Sequence, residues 1–151
     1  MKIKDFLSRD CIKVGLEETE KEGHIREIVS VLEKAGKIDP GKTEKIIERL
    51  MERERMGSTG IGEGVAIPHV KAEEVENIVG ALGISSSGID FESLDGEPVY
   101  ISFLLLTHPE AKNEHLKALS EISLFLKDRY YRQDLREAAD SRQVFKLIKR
   151  V

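Results

Sequence analysis

Val99-Tyr100-Ile101-Ser102-Phe103-Leu104-Leu105-Leu106 is the strongest strand signal in the chain. A strand with one wet face alternates apolar and polar residues. An almost unbroken apolar run marks a strand covered on both faces. Ile78 to Ile84 (Ile-Val-Gly-Ala-Leu-Gly-Ile) reads the same way with smaller side chains. Most of the remaining segments carry helical periodicity. Strands needing cover on both sides, in a chain that supplies helices, imply a central sheet between helix layers. The expected fold is α/β, a single-domain α/β/α sandwich with a central mixed β-sheet, over residues 1–151.

Working outward toward the N-terminus, Cys11 to Val14 is a short edge strand and residues 3 to 7 an amphipathic turn. Thr19-Glu20-Lys21-Glu22 has the pattern of a capping box. Beyond it Ile25, Ile28, Val29, Leu32 and Ala35 recur at helical spacing, and Gly36 is a natural stop. His24 lies off that stripe and is expected to be solvated. Asp39-Pro40 restarts the chain, and Ile46, Ile47, Leu50 and Met51 mark a second helix ending near Arg55. In the other direction, Ser85 to Gly88 reads as a loop, Ile89 to Phe91 as a short edge strand and Asp95-Gly96 as a turn. Thr107 to Lys112 leads into a helix whose stripe is Leu116, Leu119, Ile122, Ser123 and Leu126. Two further helices follow, near 129–139 and from a Ser141 cap through Val144, Leu147 and Ile148.

A chain of 151 residues can bury a sizeable core in one domain. Its 24 basic and 28 acidic residues are interleaved and give a net charge of −4, which does not advertise a nucleic-acid or membrane surface. The absence of Trp and an aromatic content of 5% argue against base-stacking platforms. A lone Cys11 excludes an internal disulfide framework and any Cys-rich metal site. No apolar stretch approaches the ~20 residues of a membrane span, and the N-terminus lacks a signal-type apolar region. The expected compartment is the cytoplasm.

Chemistry concentrates in residues 53 to 71, Arg-Glu-Arg-Met-Gly-Ser-Thr-Gly-Ile-Gly-Glu-Gly-Val-Ala-Ile-Pro-His-Val-Lys. Gly57, Gly60, Gly62 and Gly64 give a shaped loop able to approach a ligand closely. Pro68 cannot continue a central strand, so His69 is expected where a strand ends. Around it lie backbone N–H groups, the Ser58 and Thr59 hydroxyls, Arg53 and Arg55. Each suits an anion, which makes His69 a candidate nucleophile. The two arginines also complement the negative end of their helix. One guanidinium is nevertheless expected to reach the His69 pocket, where its fork of donors fits phosphate. Further on, His115 falls in the first turn of a helix, whose free N–H groups favour phosphate.

Two decoys are set aside. Gly36-Lys37-Ile38-Asp39-Pro40-Gly41-Lys42-Thr43 satisfies the G-x-x-x-x-G-K-T nucleotide pattern, but helical residues precede it and Pro40 removes a cradle donor. His69, His108 and His115 match no metal-binding spacing and have no carboxylate partner in their segments, so neither metal nor cofactor is expected.

The run Arg55-Met56-Gly57-Ser58-Thr59-Gly60-Ile61-Gly62-Glu63-Gly64-Val65-Ala66-Ile67-Pro68-His69 resembles the phosphohistidine segment of the enzyme IIA domains of the sugar phosphotransferase system. The likeness is to the fructose/mannitol class and its nitrogen-regulatory branch, and continues through Asn113-Glu114-His115-Leu116. Val70 departs from it, standing where many relatives have glycine. The resemblance implies that His69 carries the phosphoryl group, with Arg53 and His115 as its partners in transfer. Ser58, Thr59 and Gly60 would then bind the phosphoryl group, and Ile61, Val65 and Val70 would help form a flat docking patch. It implies a histidine phosphocarrier protein as donor and a cysteine on an enzyme IIB domain as acceptor, or regulatory target proteins in the nitrogen-type branch. The Gly-Ser-Thr-Gly-Ile-Gly wording leans toward that regulatory branch.

Overall fold

A computed structural model describes residues 1–151. The order is β1 (Ile12–Val14), α1 (Lys21–Lys34), α2 (Thr43–Arg55), β2 (Gly60–Gly62), β3 (Val65–Ala66), β4 (His69–Lys71), β5 (Ile78–Ile89), β6 (Val99–Thr107), α3 (Lys112–Lys127), α4 (Arg129–Glu137) and α5 (Ser141–Lys149). The six strands form one mixed sheet in the order β1-β5-β6-β3-β2, with β4 also on β6. β5 and β6, the two apolar runs, pair antiparallel at its centre, while β1, β3 and β4 join parallel.

Alternation along β6 assigns the two helix layers. Ser102 meets His24 of α1 on one face, whereas Phe103 packs near Phe6, and Thr107 meets His115 of α3, on the other. All residues from Ile101 to Thr107 are buried, as a strand covered on both faces requires. One cluster of 37 buried apolar side chains runs through the sheet into both layers. No helix is long and apolar enough to cross a membrane.

Several local expectations change. His24 is fully buried, its Nε2 2.7 Å from Ser102 Oγ and its ring edge-on to Phe91. It lies four residues before Ile28, so the apolar stripe of α1 runs back through it. That helix begins at Lys21 after Glu20, with no side-chain cap from Thr19. Ser85 to Gly88 does not leave the sheet; β5 runs on to Ile89 through a register irregularity. The last helix is capped by Asp140 rather than Ser141, through the Gln143 amide at 2.9 Å.

The buried face of α3 is His115, Ala118, Ile122, Phe125 and Leu126, which leaves Leu116 and Ser123 exposed. The helix is turned so that small Ala118 lies against the sheet and His115 reaches Thr107.

Candidate active site

β3 and β4 are two pieces of one line along β6, broken at Ile67-Pro68. His69 therefore opens the second piece rather than ending the first, pairing with Leu105. Pro68 has no N–H to give, but its carbonyl accepts from the Leu105 amide at 2.9 Å, so the ladder survives the break. Immediately after the proline, the imidazole folds back. His69 Nδ1 lies 2.6 Å from the carbonyl oxygen of Ile67. A carbonyl can only accept, so Nδ1 carries the hydrogen, and the neutral form of the ring has its lone pair on Nε2. Nε2 has no hydrogen-bond partner in the chain, and the residue is half-buried.

His115 completes a histidine pair. The two rings stand 5.8 Å apart between centroids with 53° between their planes. His115 is buried at the start of α3, and its Nδ1 lies 2.8 Å from Thr107 Oγ1. Burial, followed by the neighbouring His69 and Lys71, lowers its pKa below the ordinary histidine value. His115 is therefore a neutral ring at pH 7.

α2 runs beside β4. Arg49 is paired with Glu74, just beyond the strand, at 2.7 Å. One turn on, Arg53 donates from Nη1 to the Gly57 carbonyl at 2.9 Å and is partly exposed. Arg55 points to the outer face of α2, among Lys45, Glu48, Arg49 and Glu52.

Ser58, Thr59 and Gly60, the residues expected to bind the phosphoryl group, make framework contacts in this structure. Ser58 Oγ donates to the Phe91 carbonyl at 2.6 Å and accepts from the Gly60 amide at 3.0 Å. Thr59 is buried, its amide and hydroxyl both bonded to the Glu54 carboxylate. The Gly60 carbonyl accepts from the Leu94 amide, and a Cβ at Gly60 would collide with Ser93. Here glycine serves close backbone packing.

The docking trio also divides. Ile61 is half exposed. Val65 is only 1% exposed, packed into the core cluster that covers the sheet face, and Val70 packs against that core. Val65 is the floor of a cleft of about 350 Å³ between β2 and the α3–α4 corner, with Ile61, Ser123, Lys127 and Arg132 on its walls. Leu116, 68% exposed, lies on the same face of α3 as Ser123 and extends this surface past His115. His108 is bonded locally, its Nδ1 accepting from the Glu110 amide at 3.1 Å.

Sequence reading missed Glu54 and Thr107. Glu54 carried a signal, since a carboxylate in the last turn of a helix opposes the macrodipole and calls for compensation. Thr107 carried none beyond its place at the end of a core strand.

The site sets an imidazole with one nitrogen held by a carbonyl beside the buried ring of His115, and similarity to known proteins places the chain among phosphotransferase components. Residues 5–151 match the family described as phosphoenolpyruvate-dependent sugar phosphotransferase system, EIIA 2, and the chain belongs to that family. It is 43% identical over 148 residues to the PTS system fructose-specific EIIABC component of Bacillus subtilis. That match covers 98% of this chain but 23% of the Bacillus protein. It is 34% identical over 148 residues to the nitrogen regulatory protein of Bradyrhizobium diazoefficiens, covering 98% of this chain and 95% of that protein. The crystal structure of nitrogen regulatory protein IIA-Ntr from Neisseria meningitidis superposes with a TM-score of 0.86 at 30% identity, covering 97% and 98% of the two chains.

Proposed function

We propose that His69 is the phosphoryl acceptor of this chain and that Nε2 is the nitrogen that reacts. The observation that carries this reading is the Nδ1–Ile67 carbonyl bond, which leaves the lone pair on Nε2. The donor is a histidine phosphocarrier protein. The His69 Nε2–phosphorus bond forms as the donor's phosphorus–nitrogen bond breaks, and that bond's electron pair stays on the donor ring. In the onward step a thiolate of an enzyme IIB domain attacks phosphorus and the electron pair returns to Nε2. Such transfers need alignment and stabilisation of negative charge spread over the phosphoryl oxygens. Arg53, one turn beyond the Arg49–Glu74 tie, supplies the positive charge, and neutral His115 supplies a ring N–H.

The partners dock over the surface formed by Ile61, Leu116 and the rim of the β2–α3 cleft. Phosphoenolpyruvate is a cytoplasmic metabolite, so the relay operates in the cytoplasm. The IIB acceptor is supported by the fructose-specific relative, whose name joins A, B and C components in one protein. A second reading, in which the phosphorylation state of His69 switches binding to regulatory targets, is supported by the nitrogen regulatory relative.

The test is intact mass after incubation with enzyme I, phosphocarrier protein and phosphoenolpyruvate, for the parent protein and His69→Ala. One acid-labile phosphoryl adduct, lost in His69→Ala, is expected. An adduct retained in the variant removes His69 from the role. Adding a fructose-type IIB domain separates the two readings, because discharge of the adduct onto its cysteine identifies the sugar relay.

A further inference from the structure

Glu54 is 5% exposed and stands in the last turn of α2, where the helix field disfavours a carboxylate. A buried carboxylate persists only when it is paired and hydrogen-bonded. Its partners come from α1 and from the glycine loop. Lys21 Nζ, from the first turn of α1, lies 3.0 Å from Oε1; the Thr59 amide donates to Oε1 at 3.1 Å, and the Thr59 hydroxyl donates to Oε2. The Thr59 carbonyl in turn accepts from the Ile67 amide at 3.0 Å, and the Ile67 carbonyl accepts from His69 Nδ1 at 2.6 Å. A chain of contacts, joined through the backbones of Thr59 and Ile67, thus runs from a buried ion pair to the imidazole.

A second strut fixes the same loop. The Lys21 ammonium sits 4.6 Å from the centre of the Phe91 ring, and the Phe91 carbonyl accepts from Ser58 at 2.6 Å. Lys21 therefore ties both ends of the Ser58–Thr59 step to α1.

We propose that Glu54, held by Lys21, is a positioning residue for phosphoryl transfer, acting through Thr59 and Ile67 to keep His69 in the Nδ1–H tautomer. The proposal rests on the assignment of His69 as acceptor. Its physical content is that Thr59 anchors the Ala66–Ile67 peptide through its N–H, and the next peptide, Ile67–Pro68, presents its carbonyl to Nδ1 from the far side of the Ile67 Cα. If Thr59 is released, the Ile67 backbone can rotate, the neighbouring Ile67–Pro68 carbonyl turns away, Nδ1 loses its acceptor and the proton can settle on Nε2. A ring protonated there has no lone pair where the phosphorus arrives. Many buried carboxylates only hold elements together. Glu54 differs in that its bonds lead, through the backbones of Thr59 and Ile67, to the nitrogen opposite the reacting one.

The experiment reads the tautomer directly. Long-range ¹H–¹⁵N correlation of the His69 ring is recorded on the unphosphorylated protein and on Glu54→Gln, Thr59→Val and Thr59→Ser, with phosphorylation rates measured alongside. In the parent protein the Nε2 resonance is expected at its unprotonated position. In Glu54→Gln and Thr59→Val it shifts toward the protonated position, and transfer slows about ten- to a hundredfold. Thr59→Ser keeps the hydroxyl and restores both. A folded Thr59→Val or Glu54→Gln with an unchanged ring spectrum overturns the proposal, as does a Thr59→Ser as impaired as the valine. Should Glu54→Gln fail to fold, Thr59→Val decides alone. A parent protein with the expected tautomer but no phosphoryl adduct would sink the acceptor assignment and leave the tautomer control standing.

Discussion

His69 Nδ1 and the carbonyl oxygen of Ile67, two residues apart in sequence and 2.6 Å apart in space, are joined across a proline. The proline is what makes the contact possible. It interrupts the parallel line of β3 and β4, lets Ile67 turn its carbonyl out of the ladder and sets the histidine back toward it. The consequence is regiochemical. Phosphorylated protein should carry the phosphoryl group on Nε2, visible as a ¹⁵N–³¹P coupling confined to that nitrogen. Phosphorus coupled to Nδ1 would mean that the Ile67 contact breaks before transfer and that the free geometry does not direct the reaction.

His115 is expected to matter as a neutral ring. Its Nδ1 meets Thr107 Oγ1 at 2.8 Å, and burial lowers its pKa. His115→Ala should slow phosphoryl transfer about a hundredfold while the circular dichroism spectrum stays native. A Thr107→Val variant should show an intermediate loss, because it frees the ring without removing it. Rates equal to the parent in both variants would reassign His115 to packing.

Much of this was legible before the fold was known, and the misreadings share a cause. The β5 and β6 runs announce a doubly covered sheet, and the glycine-rich segment announces a loop before His69. Burial of polar side chains was the invisible part. His24 and Thr59 look solvent-loving by type, yet each is buried against a polar partner from a different segment, Ser102 in one case and Glu54 in the other. Helical spacing gave α3 its length, but its rotation depends on Thr107 meeting His115, a contact eight residues long that no period reveals. Val65 was misjudged for the same reason in reverse, since a two-residue strand gives no alternation from which to read its buried side.

The separation of Ile61 from Val65 can be measured. Val65 is 1% exposed, so Val65→Ala should destabilise the protein by about 2 kcal/mol and lower its melting temperature, while the transfer rate at saturating donor stays near the parent's. Ile61 and Leu116 are 50% and 68% exposed, so Ile61→Asp and Leu116→Asp should leave the melting temperature almost unchanged. Each should raise the KM for the phosphorylated donor about tenfold, as expected for an apolar contact replaced by a charge at a docking surface. An unchanged KM in both aspartate variants would move the docking surface off this face.

The buried His24 should set the acid limit of stability. Burial pushes its pKa down to about 4 from the usual histidine value of 6.5, with Glu27 opposing that shift. Nδ1 has no partner, so nothing on that side welcomes a proton. The unfolded chain therefore binds a proton between pH 6.5 and 4 that the folded chain refuses. Stability rises with pH wherever the unfolded state holds more protons, so the His24 contribution is complete above pH 6.5 and is lost on acidification toward pH 4. The full excursion is roughly 3 kcal/mol. His24→Gln replaces the ring by a group that does not titrate. Urea unfolding of the parent at intervals from pH 7 to pH 4.5 should show a falling midpoint, and the fall should be shallower in His24→Gln. Parallel slopes in the two proteins would mean that other groups govern acid unfolding and that His24 takes up its proton without leaving the core.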